Sequence, residues 1–116
     1  MRAALLLLAG AALLGAAPAE AAKPKPRTVR IYDNYYVRDD LTVKRGTVVV
    51  WRWPGFEEAG DVHDVKLKSG PKGVKRFHSE AASTGYRFKR KLTVPGRYRI
   101  VCTLHDGMTM KIRVRR

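Results

Sequence analysis

With 116 residues, and 24 Lys+Arg against 10 Asp+Glu for a formal net charge of +14, the chain has room for one domain at most and carries a strong cationic excess. Its single cysteine excludes a disulfide within the chain. Apart from one run near the amino end, no stretch is continuously apolar.

That run, Ala3 through Ala17, follows Arg2 and precedes Pro18 and a small-residue Ala19-Glu20-Ala21. It is shorter than the ~20 residues that cross a bilayer, and its flanks match a secretory signal with its cleavage site. Residues 1–21 are therefore expected to be a signal peptide cut after Ala21, which makes the mature protein periplasmic or extracellular. No cysteine stands near residue 20, so the mature terminus has no site for a lipid anchor. Residues 22–27, which include "KPKPR", form a basic, Pro-interrupted stub, and residues 28–116 form the folded domain.

From Thr28 onward short alternating segments are separated by turn signals, and none holds a helical period for three turns. "TVRIY" sets Val29 and Ile31 on one side. "LTVKRGTVVVWRW" gives Leu41 and Val43, a Lys-Arg-Gly turn, then Val49 and Trp51 on a shared face. "VHDVKLKSG" sets His63, Val65 and Leu67 on one face and Asp64, Lys66 and Lys68 on the other. Residues 68–85 read as a long connection with one helical turn. "YRFKRKLTV" leads to a Pro95-Gly96 turn. "RYRIVC" groups Tyr98, Ile100 and Cys102, and "MTMKIRV" groups Met108, Met110, Ile112 and Val114. About seven strands at this spacing predict an all-β Greek-key sandwich or barrel.

In a secreted protein an unpaired cysteine needs a reason. "CTLHDGMTM" places Cys102 beside His105, Met108 and Met110, and strand parity lets His63 reach the same end of the sandwich. Thiolate, two imidazoles and a weak thioether are the donors of a blue-copper site. Asp61, Glu57 and Glu58 pair with no nucleophile that would support hydrolysis. Cys102 and a histidine make no convincing thiol protease either, because parity buries the sulfur. His78 in "KRFHSE" has no partner at ligand spacing and is expected on a surface loop. Trp51 and Tyr98 are expected to be core anchors.

These residues resemble the plastocyanin-like cupredoxins, blue copper proteins of the amicyanin and pseudoazurin type. "PGRYRIVCTLHDGM" is similar to the family's carboxyl-terminal ligand segment, "VHDV" to its upstream histidine strand, and "LTVKRGTVVVW" to a strand pair that precedes it. The resemblance covers about residues 31 to 114. It implies a non-enzymatic carrier of single electrons, with one type 1 copper held by His63, Cys102 and His105. The axial thioether is Met108 or Met110; strand register favours Met108, because Ile112 and Val114 then fall where apolar strand residues follow the family's ligand. The resemblance makes His105 the electron port, with Leu104, Gly107 and Pro54 near it. Asp64 stands where the family usually has asparagine, and Leu104 where proline is common.

The cationic excess suggests nucleic acid, but export and the alternation of basic with apolar residues argue for a solvated strand face. The expected partner is a redox protein with an acidic docking surface, with contact to an anionic membrane or cell-wall surface as a further possibility. No nucleic acid is expected, and the protein is expected to be a monomer. A second reading is a copper-binding protein that stores the ion or delivers it to an exported oxidase.

Overall fold

The computed structural model describes residues 9–11, 15 and 22–116, so the expected signal peptide lies almost wholly outside the described residues. Eight strands alternate along the chain: β1 (Arg27–Tyr32), β2 (Tyr35–Tyr36), β3 (Asp40–Lys44), β4 (Thr47–Arg52), β5 (Lys66–Ser69), β6 (Arg87–Leu92), β7 (Gly96–Val101) and β8 (Thr109–Arg115). They form two four-stranded sheets, ordered β2-β1-β4-β6 and β3-β8-β7-β5. β1 pairs with β4, and β3 with β8, in parallel, while the remaining pairs are antiparallel. Among the described residues no helix is long and apolar enough to cross a membrane.

The period-two pattern places one face of each sheet inside. Val29, Ile31, Val49 and Trp51 from the first sheet meet Leu67, Ile100, Met110 and Ile112 from the second, each at most 1% exposed. Trp51 and Tyr98 are buried as the sequence predicts. The Trp51 indole N–H donates to Met110 Sδ at 3.3 Å, which joins the two sheets through the core. At the open edge of β6, Arg90 lays its guanidinium over the Phe88 ring, 4.2 Å from its centroid.

Three features differ from the sequence expectation. The helical turn is a 3₁₀ turn at Phe56–Glu58, on the β4–β5 connection, and not within 68–85. The latter segment makes a turn at Pro71–Val74 and then runs extended to Ala82. Its Phe77 carbonyl accepts from Leu67 N–H, its Ser79 N–H donates to the Val65 carbonyl, and Ala82 bridges His63. These bonds draw it alongside the histidine strand, because Phe77 has a buried place in the core. The third is Asp64: parity sets it on the face of Lys66 and Lys68, opposite the core, yet it is only 3% exposed. Strand pairing starts at Lys66. Before it, the chain passes between the 77–82 segment and the loop after Cys102, so both of its sides are covered.

β2 was not foreseen. Asp33 and Asn34 turn the chain back from β1, with Asn34 at φ 93°, a left-handed conformation that asparagine tolerates better than most residues. The hairpin delivers Tyr36 to the interior, where its hydroxyl donates to the Asp64 carbonyl at 2.7 Å. Removing that hydroxyl leaves a buried carbonyl without its donor, so Tyr36→Phe is expected to lower stability by about 1–3 kcal/mol in urea unfolding.

Candidate metal centre

The histidine strand and the β7–β8 loop converge at one end of the sandwich. His63 is held by its bridge to Ala82, with backbone hydrogen bonds in both directions at 2.9 and 3.0 Å. Cys102 follows the last residue of β7, and the loop from it returns through Gly107 at φ 77°, a conformation that suits glycine. Cys102 N–H then donates to the Met108 carbonyl at 2.9 Å, and Met108 N–H to the His105 carbonyl at 3.3 Å. Sulfur and second imidazole thus sit on a closed seven-residue hairpin, Cys102 to Met108.

The two Nδ1 atoms of His63 and His105 face each other at 3.2 Å, and Cys102 Sγ lies 3.6 Å from His105 Nδ1. All three donor atoms fall within 4.8 Å of one another. One thiolate and two imidazole nitrogens aimed at a shared point fit a soft-to-borderline metal such as copper, and not a hard, oxygen-seeking ion. Met108 is buried beside them at 1% exposure. Met110 is equally buried, but its sulfur already accepts the Trp51 N–H.

Around the donors stand carboxylates that spacing alone does not reveal. His63 Nε2 donates to Asp33 Oδ1 at 2.8 Å, which fixes the tautomer that leaves Nδ1 free for a metal. Asp33 comes from the β1–β2 turn, thirty residues upstream, and Asp61 N–H donates to the same oxygen at 2.9 Å. Gly60 permits this approach, because a Cβ there would collide with the Asp33 carboxylate. These hydrogen bonds, first that from His63 and then that from Asp61, hold the Asp33 carboxyl below its ordinary value. On the other imidazole, His105 Nε2 lies 3.7 Å from Asp61 Oδ2. Asp61 has no nucleophile to serve but stands next to both histidines.

Asp64 braces the site from below. One carboxylate oxygen accepts from Thr103 N–H at 2.7 Å, and the other accepts from the Thr103 hydroxyl and from His78 Nε2, the latter at 2.7 Å. His78 is half-exposed, as a loop histidine should be, yet it has the partner that ligand spacing did not suggest. Burial opposes ionisation of Asp64, but the hydrogen bonds from His78 and from Thr103 outweigh it and hold the carboxyl below its ordinary value. Of the residues expected near His105, Leu104 and Gly107 share its loop. Pro54 instead gives its carbonyl to Gly85 and Thr84 and lines a different concavity with Arg30 and Arg52.

Comparison with known proteins agrees with this geometry. The sequence model of the copper binding proteins, plastocyanin/azurin family, matches residues 28–115. A reduced, Cu(I) form of an amicyanin variant at pH 4 is similar in structure, with TM-score 0.65 and 25% identity over 77% of this chain and 81% of that one. An oxidised amicyanin variant gives the same TM-score, 0.65, and 25% identity over the same shares, 77% and 81%. A copper-containing nitrite reductase from Thermus scotoductus SA-01 is similar at TM-score 0.65 and 28% identity, covering 87% of this chain but 25% of that one. The chain thus spans a quarter of that enzyme. No curated protein sequence matches it.

Two outcomes are expected of the carboxylates. Negative charge against a ligand favours the more positive oxidation state, so Asp33→Asn and Asp64→Asn should each raise the reduction potential measured by redox titration. Asp33→Asn and Gly60→Ala should also weaken Cu(II) binding by about tenfold or more. A carboxyl whose folded value is depressed adds stability above its unfolded value and loses it as pH falls through the folded one. Stability of the metal-free protein is therefore expected to fall from about pH 4 downward, and Asp64→Asn to flatten that limb in an acid-unfolding series.

Proposed function

Because the chain belongs to the plastocyanin/azurin family of copper-binding proteins, we propose that it is an exported, non-enzymatic carrier of single electrons, with His63, Cys102 and His105 as equatorial ligands of one type 1 copper and Met108 as the axial ligand. The observation that carries this reading is the convergence of three donor atoms within 4.8 Å on elements the fold holds rigid. Copper bound there supplies one-electron chemistry between its cuprous and cupric states.

The chain's part is to keep the donors still, since a carrier is efficient when its two oxidation states need little rearrangement. Asp33 fixes the His63 ring, Asp64 ties the backbone and hydroxyl of Thr103, and the Cys102–Met108 hydrogen bond closes the loop. The engaged sulfur of Met110 supports Met108 as the axial donor. His105 supports a role as electron port: its side chain is 24% exposed, whereas His63 and Cys102 are 1% and 5% exposed. Exposed Leu104 and Val62 flank ligand residues in sequence and offer a redox partner apolar contact.

Charge at this end is divided. Asp61 lies 3.7 Å from His105, while Lys66, Lys68 and Arg76 share with Cys102, His105 and Asp106 a cleft of about 340 Å³. That basic wall supports steering of an acidic redox partner, with association that weakens as salt is added. Export rests on the amino-terminal pattern of residues 1–21.

Adding Cu(II) to the purified protein should produce the intense visible thiolate-to-copper band, and Cys102→Ser should abolish it. Met108→Leu should shift the potential and the spectrum more than Met110→Leu does. Fast electron self-exchange is the expected behaviour; release of copper to an apo-acceptor in its place would move the reading to copper delivery.

A further inference from the structure

The metal centre does not account for the cationic excess. Among the described residues no lysine or arginine lies within 4.0 Å of a carboxylate, since the three close pairs all involve histidine. On the outer face of the β3-β8-β7-β5 sheet, the register sets Arg97 directly opposite Arg113 and Arg99 opposite Lys111. Lys44 stands beside Arg115. Like charges opposed across strands destabilise a sheet. All six are exposed and lack a carboxylate partner.

These cations line concave surface. Arg97, Arg99, Lys111 and Arg113 border a cleft of about 410 Å³ whose single acid is Asp40. A second cleft, of about 350 Å³, is lined by Lys44 and Arg115 together with Lys23 and Lys25 of the amino-terminal stub. Arg113 and Arg115 are alternate outward residues of β8, about 7 Å apart, so the two clefts follow one another along that strand as a cationic track. Charge that repels itself in the free protein is relieved when an anion threads that track and releases its counterions.

We infer that this track binds a linear anionic polysaccharide, laid along β7 and β8 toward the "KPKPR" stub. A chain-like ligand fits because the cations follow a line: Lys111 to Arg115 alone spans about 13 Å. A bilayer fits less well, because membrane-docking surfaces combine cations with apolar anchors. Among the described residues the exposed large apolar side chains are Tyr35, Phe56, Val62 and Leu104, none of which lines either cleft. Single-stranded nucleic acid relies on aromatic stacking. The outward side chains of β7 and β8 include no aromatic, and Tyr98 faces the core at 1% exposure. Nor is this the redox docking end: the track runs away from the site, Arg99 and Arg97 preceding Cys102 by three and five residues of strand, about 10 and 17 Å. The inference does not use copper and stands whether or not the electron-transfer reading does.

The test measures binding of a heparin oligosaccharide across a salt series, with dextran as the uncharged control. The variant Arg97→Gln, Arg99→Gln, Lys111→Gln, Arg113→Gln is compared with Arg52→Gln, Arg87→Gln, Lys89→Gln, Lys91→Gln, which removes equal charge from the outer face of the other sheet. The first is expected to weaken heparin binding by about tenfold or more and to lessen the slope of log K against log salt by about one for each cation withdrawn from the bound polyanion. It should also raise the thermal midpoint without heparin, since two like-charge pairs are gone, which separates lost binding from misfolding. Equal weakening by both variants would reduce the effect to net charge and overturn the proposal. Tighter binding to phosphatidylglycerol vesicles or to DNA than to heparin would overturn it in favour of a lipid surface or a nucleic acid.

Discussion

A single buried carboxylate holds this molecule's working end together. Asp64 follows the first imidazole in sequence, takes hydrogen bonds from the residue after the cysteine, and receives a third from His78 on the 68–85 connection. Its own carbonyl is taken by Tyr36 of β2. Four segments far apart in the chain therefore meet at one residue. The interior carries no stray polarity as a result: among the described residues, no buried side-chain nitrogen or oxygen lacks a partner. An ion in low dielectric is tolerable only when so surrounded, and this surrounding also sets the distance between histidine strand and cysteine loop.

The parts of this design that obey strand parity could be read from the sequence. Alternation assigned Val29, Ile31, Val49, Trp51, Tyr98 and Ile100 to the interior, and the same rule turned His63 and Cys102 inward at one end. The nine-residue run of sulfur and imidazole needed no tertiary information. Parity set Asp64 on the face of Lys66 and Lys68 but could not tell that this face is covered too, because alternation reveals exposure only where a strand has one covered side. It was silent on Asp33, whose bond to His63 depends on a two-residue turn and on the missing side chain of Gly60. The choice between two methionines on one face was weighted by register, and the structure adds the indole that engages one sulfur.

Charge tells a similar story at larger scale. The alternating basic residues do lie on solvated strand faces, as their pattern implied. What the pattern could not express is that acids gather elsewhere. Asp33, Asp61 and Asp106 are near the imidazoles, while the sheet faces hold cations with no acid in salt-bridge reach. Such segregation costs stability through self-repulsion. It also sets the outer sheet face, with its unrelieved cations, apart from the port end, where acids and cations are mixed.

The position of β8 has a consequence for how the protein comes into being. It lies between β3 and β7 in its sheet, yet it follows both along the chain. Until residues 109–115 have left the ribosome, β3 has no neighbour to pair with and the cysteine hairpin has no second arm. A nascent chain thus carries Cys102 and His105 on one open loop with His63 apart, and the three donors converge only when the long-range pairings close. The complete three-donor site is therefore withheld from a half-made chain by the order of its strands.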